Sequence, residues 1–179
     1  IEARWKRRDG GIIDVLFHST PLDAADLSKG ITFAALDITS RKKAETALRE
    51  SEQNYREVFN AANDAVLIHD PATGAILDVN RTTLDIYGFD CEEMPRIDVG
   101  TLSSGAPPYT QQDALAKIHK AVEEGPQLFE WRAKRKNGEL FWQEINLRTA
   151  TIGGRLRVLA VARDITDRKK ADAQAQQHL

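Results

Sequence analysis

The four histidines and the single cysteine are the side chains best able to bind a metal or act as a nucleophile. His18, His69, His119 and His178 lie far apart, and none has the His or Cys neighbours whose spacing typifies a zinc site. Cys91 cannot form an internal disulfide, which favours a reducing compartment, although a secreted domain with few thiols would also fit. No glycine-rich phosphate loop occurs either. The sequence therefore predicts neither a catalytic site nor a metal centre within this chain.

His69 and Asp70 are an adjacent pair that could relay a proton. They precede Pro71, and a strand that ends at a proline turn commonly carries solvated polar residues there. We therefore expect His69 to mark an exposed strand end and to have no part in catalysis.

Composition excludes several classes of protein. Of 179 residues, 41% are hydrophobic and 29% are charged, as in a globular domain. The 25 basic residues are balanced by 27 acidic ones, so a nucleic-acid-binding surface is not expected. The longest apolar stretch, Val158–Ala162, is far too short to cross a bilayer. We expect a cytoplasmic fragment without membrane insertion, from a parent that could be anchored elsewhere.

Two motifs occur twice in the same order. Lys6–Gly11 recurs as Lys134–Glu139, offset by 128 residues, and Asp37–Ala44 recurs as Asp164–Ala171, offset by 127. Such self-similarity indicates repeated modules. The predicted organisation is the C-terminal, three-stranded part of an upstream module (1–40), a helical coiled-coil-like linker (41–54), a complete module (55–167) and the start of an exit helix (168–179).

Turn signals and alternation predict five strands in the complete module. Asn137–Gly138 is a strong hairpin signal, and Gly153–Gly154 predicts a second turn. The predicted strands are Ala65–His69, Ala75–Val79, Leu128–Ala133, the run after Phe141, and Leu156–Ala162. The predicted helical pieces are Arg81–Tyr87 capped by Asn80, a short turn at Cys91–Met94, and Thr110–Glu124.

The linker carries a narrow apolar stripe with coiled-coil spacing. Its members step by four and three residues over about three heptads: Ala44, Leu48, Ser51, Tyr55, Val58 and Ala62. Up to Tyr55 we expect this stripe to pair with another chain. From Tyr55 onward, packing on the chain's own sheet is an equal alternative.

These motifs together resemble a PAS domain with its C-terminal PAC motif. The matching segments are Asn54–Val66, Ala75–Asn80, Leu84, Tyr87–Gly88, Cys91–Met94, Lys134–Gly138, Phe141–Trp142, and Asp164–Thr166 with Arg168–Lys169. The resemblance implies an α+β fold with a five-stranded antiparallel sheet, in the chain order ββ, helices, βββ. It also implies helices over one face, a sensory cavity beneath them and dimerisation through flanking helices.

The resemblance and the strand alternation together give candidate cavity residues. They are Val66, Leu84, Tyr87, Leu115, Ile118, Phe129, Trp131, Ala133, Phe141, Gln143, Ile145, Ala160 and Ala162. Small residues beside the inward amide of Gln143 leave room for an unidentified small ligand. A filled core, with Gln143 bonded to backbone, is the alternative.

The same resemblance bears on cofactors. Flavin photosensors of this family carry a reactive cysteine on a later helix than the one containing Cys91, so a flavin adduct is not expected. Haem-binding relatives use a histidine on the long helix before the third strand. His119 lies there, but it falls off the Leu115, Ile118, Val122 stripe, so haem is not expected.

Residues outside the cavity are assigned to dimerisation and signal relay. Trp142, Leu159 and Val161 should face away from the cavity as an apolar patch, covered by the helix around Tyr55, Val58 and Phe59 or by a second subunit. The exit motif, in which Asp164 can cap a helix and pair with Arg168, should set the direction of the exit helix. The predicted relay residues are Asp164, Ile165, Thr166 and Arg168, with Asp37 and Arg41 in the repeat.

The function implied is that of a PAS sensory and dimerisation module. A sensor histidine kinase is the expected parent protein, because PAS modules are frequent in that class. The module would form a homodimer through the linker helices and the outer sheet face, and be joined to an upstream PAS and a downstream output domain. The alternatives are a diguanylate cyclase output, a haem or flavin redox sensor, and a ligand-free interaction scaffold. Residues 1–39 should pair with an upstream segment or with the same piece of another chain, because their strands lack the rest of a sheet.

Overall fold

The computed structural model describes residues 1–177, which form two compact units, one spanning Ile1–Arg56 and the other starting at Glu57. The first unit is a three-stranded antiparallel sheet in the order β1-β2-β3, with a 3-10 turn at Leu27–Lys29. A long helix, α1, follows and contains the boundary between the units. The elements are β1 (Glu2–Lys6), β2 (Ile12–Pro21), β3 (Ile31–Asp37) and α1 (Thr39–Asn60).

The second unit contains a five-stranded antiparallel sheet in the order β5-β4-β8-β7-β6. This confirms the predicted fold class. The strands are β4 (Ala65–His69), β5 (Ile76–Val79), β6 (Gln127–Lys134), β7 (Leu140–Ile152) and β8 (Arg155–Asp164), and the helices are α2 (Arg81–Tyr87), α3 (Gln111–Glu124) and α4 (Thr166–Gln177). His178 and Leu179, the end of the predicted exit helix, lie outside the described residues.

Side-chain capping begins both helices that cover the sheet. The Asn80 side chain accepts a hydrogen bond from the Thr83 amide at the start of α2. Thr110 and Asp113 form a reciprocal capping box at the start of α3. The short helix expected at Cys91–Met94 is instead a 3-10 turn at Met94–Arg96, with Pro95 in its first turn.

The core of the second unit lies between α3, α2 and one face of the sheet. Alternation along β7 and β8 places Phe141, Leu147, Val158 and Ala160 in this core. Tyr87 reaches the same core from α2. The helices within residues 1–177 are too short or too polar to span a lipid bilayer.

Candidate functional site

A small, mainly apolar cavity lies between the inner face of this sheet, α3 and the end of α2. Its volume is about 60 Å³. Four strands, two helices and the segment that precedes α3 form its wall. The lining residues are Leu67, His69, Tyr87, Val99, Leu102, Ser103, Ala114, Ile118, Phe129, Trp131, Ile145, Leu147, Ala160 and Ala162.

The structure brings together seven of the thirteen candidate cavity residues. Three more are buried in the core around the cavity without bordering it: Ala133, Phe141 and Gln143. The seven that border the cavity are Tyr87, Ile118, Phe129, Trp131, Ile145, Ala160 and Ala162.

The expected position of Val66 in the cavity wall is wrong. Val66 is paired with Val161, whereas Leu67, which does line the cavity, is paired with Ala160. Because neighbouring residues of a strand point to opposite faces, Val66 belongs to the outer face. All five residues of β4 are buried, so the strand offered no alternation from which to assign its faces.

Leu84 and Leu115 are also outside the cavity wall, contrary to expectation. Leu84 borders a surface depression beside Gly88 and Cys91. The Leu115 side chain packs on Gly74, with Cδ2 only 2.2 Å from where a β-carbon on that glycine would stand. Gly74 therefore serves the close approach of α3 to the turn after β4.

Sequence reasoning missed half of the lining. Leu147 could have been included, since it continues the alternation of Phe141, Gln143 and Ile145 on β7. Val99, Leu102 and Ser103 lie in a segment without regular periodicity, so no pattern in the sequence assigns them to the wall. The others missed are Leu67, His69 and Ala114.

Most polar groups around the cavity are committed to one another. The Tyr87 hydroxyl donates to Oε1 of Gln143 at 2.6 Å, and burial raises the pKa of this phenol. Trp131 Nε1 donates to Oγ of Ser103 at 3.1 Å, and that hydroxyl donates to the Val99 carbonyl at 2.6 Å. Gln143 Nε2 is fully enclosed and has no hydrogen-bond partner.

His69 is buried, so the expectation of a solvated strand end is wrong. It ends β4, but only 4% of its surface is exposed, because its face of β4 is the cavity face. Nδ1 lies 3.1 Å from the Gly74 carbonyl oxygen. Burial lowers the pKa of this imidazole, so the ring is neutral at physiological pH.

Arg135 connects the helix that carries Tyr87 to the start of the exit helix α4. Its guanidinium donates to the carbonyl of Ile86, at the end of α2, and to Oδ2 of Asp164 at 2.9 Å. It also lies over the Phe141 ring, 4.0 Å from the centroid. Oδ1 of Asp164 accepts from the Thr166 amide at 2.9 Å. Sequence analysis missed Arg135, although it belongs to the repeated Lys134–Glu139 motif.

The predicted pairing of Asp164 with Arg168 is wrong. Asp164 pairs with Arg135. Nη2 of Arg168 lies 3.4 Å from Oε1 of Glu130 and 3.3 Å from Oε2 of Glu144. Burial favours the neutral Asp164 carboxyl, but hydrogen bonds from Thr166 and the pairing with Arg135 bring its pKa below the usual value. Asp164 therefore remains charged where α4 begins.

The first unit repeats this arrangement at the matching residues. Arg7 donates to Asp37 at 2.8 Å, and the Asp37 carboxylate accepts from the Thr39 amide at 3.0 Å. The Thr39 hydroxyl accepts from the Asp14 amide at 2.9 Å, as the Thr166 hydroxyl accepts from the Trp142 amide at 3.0 Å. Arg41 pairs with Glu45 within α1.

The outer face of the sheet is partly covered by cationic side chains. Arg132 and Lys169 lie over the Trp142 ring, 4.9 and 5.1 Å from its centroid. Tyr109 meets the same ring edge-on at 5.7 Å. Leu159 and Val161 are half-buried. Trp142 thus links β7 to the first turns of α4.

The stripe of α1 is exposed to solvent. The helix has no buried residue, and Leu48 and Val58 are 61% and 76% exposed. Tyr55 is 42% exposed, and Phe59 is half-buried. This helix therefore presents an apolar stripe along most of its length.

The remaining candidate cofactor residues lie on the surface. Cys91 is exposed, and His119 is exposed with Nε2 at 3.1 Å from the Ala72 carbonyl oxygen. Within residues 1–177 the structure brings no three His, Cys, Asp or Glu residues together as a metal site.

A family model described as PAS domain matches residues 63–167 of this chain. A curated relative, the methyl sulfide methyltransferase-associated sensor of Methanosarcina acetivorans, is 32% identical over 130 residues, or 73% of this chain. The match spans only 13% of that sensor's length.

Solved PAS structures share the fold of the second unit. The PAS domain of an HTR-like protein from Haloarcula marismortui has a TM-score of 0.61 at 22% identity, covering 69% of this chain and 99% of its own. A domain of a sensory box sensor histidine kinase/response regulator from Geobacter sulfurreducens has a TM-score of 0.54 at 28% identity. It covers 65% of this chain and 96% of its own.

Proposed function

The chain belongs to the PAS domain family, and we propose that it senses a small ligand and relays its presence along the exit helix of a dimeric sensor histidine kinase. The observation that carries this proposal is the connection from the cavity wall to α4 through Arg135. A sensory module of signalling proteins is also what the relatives suggest, since their names include a sensor and a sensor histidine kinase.

The relay would begin at Tyr87, which lines the cavity and ends α2. A ligand that displaces Tyr87 also moves the Ile86 carbonyl, which is held by Arg135. Arg135 in turn pairs with the Asp164 carboxylate that caps the start of α4. Each link is a hydrogen bond, so movement of α2 changes the geometry at which α4 leaves the sheet.

The first unit supports placing this domain in a tandem array. Its Arg7–Asp37–Thr39 arrangement matches Arg135–Asp164–Thr166 residue for residue, although the strands of residues 1–40 form only three-fifths of such a sheet. We propose that an upstream PAS segment completes it. The helix α1 would then join two cytoplasmic PAS modules and pair with its copy in a homodimer.

Filling the cavity is expected to alter α4. Ala160 lines the cavity, so Ala160→Val adds two methyl groups inside it and mimics an occupied state. We expect amide hydrogen exchange in residues 166–177 to change by about threefold or more, a coupling of about 0.5–1 kcal/mol. Ala150→Val is the matched control, because Ala150 lies on β7 away from the cavity.

The same measurement in an Arg135→Gln background tests the route. Glutamine keeps a polar side chain but loses the ion pair with Asp164, so Ala160→Val should no longer change the exchange of α4. A response of α4 that persists undiminished in Arg135→Gln would reject this route. Equal responses to Ala160→Val and Ala150→Val would reject a cavity-driven relay altogether.

A further inference from the structure

His69 is a buried hydrogen-bonding group on the cavity wall that the proposed relay does not use. Its Nδ1 lies 3.1 Å from the Gly74 carbonyl oxygen. A carbonyl oxygen only accepts, so Nδ1 carries the proton, and in the neutral ring Nε2 is an acceptor. The hydrogen bond to Gly74 thereby fixes both the tautomer and the orientation of the ring.

Nε2 of His69 makes no hydrogen bond to the described residues. In residues 1–177, two side-chain polar atoms are fully enclosed and have no hydrogen-bond partner: Ser104 Oγ and Gln143 Nε2. Nε2 of His69 also has no partner but is not fully enclosed, so it keeps some solvent-accessible surface. His69 borders the cavity and is otherwise 96% enclosed, which leaves the cavity as the place from which a partner can reach it.

Apart from His69, the described residues of the cavity wall have few polar atoms available to hydrogen-bond a ligand. The polar groups of Tyr87, Trp131 and Ser103 are committed to the bonds described above. The remaining lining residues are aliphatic or aromatic, and none of the lining carries a formal charge while His69 is neutral. A charged ligand would lose its hydration there without a counter-charge, which is costly.

We propose that the cavity takes a compact, uncharged, largely apolar molecule with one O–H or N–H donor, which hydrogen-bonds to Nε2 of His69. This inference rests on the proposed sensory function and specifies the ligand class of the same cavity. His69 gives the orientation of the ligand, and the aromatic and aliphatic wall gives most of the affinity.

Phenol and toluene are suitable probes, since they have the same number of non-hydrogen atoms and differ in the donor. Affinities for both are measured by NMR titration of the chain at pH 7.5, in the wild type and in His69→Leu. We expect the phenol-to-toluene affinity ratio to fall about tenfold in His69→Leu, the worth of one hydrogen bond in a dry site. His119→Leu is the matched control, because His119 is exposed and does not line the cavity; it should keep the wild-type ratio.

A second readout uses the wild type alone and does not depend on the folding of a variant. In ¹⁵N spectra of the histidine rings, Nε2 of His69 should shift upfield when phenol is added and stay unchanged with toluene. Suppose that both probes bind, that the affinity ratio is the same in His69→Leu, and that phenol does not shift the Nε2 resonance. The hydrogen bond from the ligand to His69 is then rejected, whereas the sensory cavity is not. Because the cavity volume is about 60 Å³, ethanol and propane, which also match in non-hydrogen atoms, repeat the test with smaller molecules. If none of the four probes binds, the sensory cavity itself is rejected. Haemin bound through His69 would also overturn the proposal, because Nε2 would then be an iron ligand.

Discussion

Replacing Asn80 with alanine is expected to lower the free energy of unfolding of the second unit by about 3–4 kcal/mol. The side chain is fully buried, and Oδ1 accepts from the amides of Val66 at 2.9 Å and Thr83 at 3.0 Å. Nδ2 donates to the Asp64 carbonyl at 3.0 Å. Alanine leaves these backbone groups buried without a side-chain partner, and each such loss costs about 1–3 kcal/mol.

Urea unfolding followed by tryptophan fluorescence measures this loss. Trp131 and Trp142 report on the second unit, and a Trp5→Phe background removes the signal of the first. Asn60→Ala is the matched control, because Asn60 also accepts from a backbone amide of α2, that of Arg81 at 2.8 Å, but is exposed. We expect it to cost about 1 kcal/mol. A cost of Asn80→Ala no greater than that of the control would contradict this account.

The second large effect is expected at the α1 stripe. If α1 pairs with its copy, Leu48→Glu removes two leucine side chains from each dimer interface and adds two carboxylates. Burial of two leucines is worth about 3 kcal/mol or more, so the dissociation constant should rise at least about 100-fold. Leu48 is 61% exposed within one chain, so the folded monomer should tolerate the change.

Sedimentation velocity over a range of concentrations measures this dissociation. Thr46→Glu is the control, because Thr46 is exposed on α1 but lies off the stripe of Leu48, Ser51 and Tyr55. It should leave the dissociation constant within about threefold. A wild type that stays monomeric at all concentrations, or equal effects of the two substitutions, would reject pairing through α1.

Local sequence patterns were sufficient to predict the strands and main helices of the second unit and their order along the chain. Alternation of apolar and polar residues on β7, the turn at Asn137–Gly138 and the Asn80 cap each depend on neighbours a few residues away. The predicted hairpin of β4 and β5 was correct to within one residue at its second strand. Together with the resemblance to PAS domains, these patterns also assigned seven candidates, including Tyr87 and Ile118, correctly to one cavity.

Local sequence patterns failed to predict a residue's position where that position depends on a strand far away in the chain. The cavity face of β4 depends on its register with β8, which pairs Leu67 with Ala160. The burial of His69 follows from that register, whereas its own neighbours, Asp70 and Pro71, indicate a solvated turn. A strand with both faces buried gives no alternation from which to assign its inner face.

The strands, their order along the chain and the Asn80 cap depend on contacts between near neighbours, so the residues alone were enough to predict them. The repeated motifs were visible in the residues directly, and the α+β class followed from the resemblance to PAS domains. The pairing of Asp164 with Arg135, 29 residues away, instead of with Arg168 four residues on, became clear only from the folded chain. The position of Val99, Leu102 and Ser103 in the cavity wall was likewise visible only in the structure. Strand register and helix packing bring these distant side chains within hydrogen-bonding range, and local spacing specifies neither the register nor the packing.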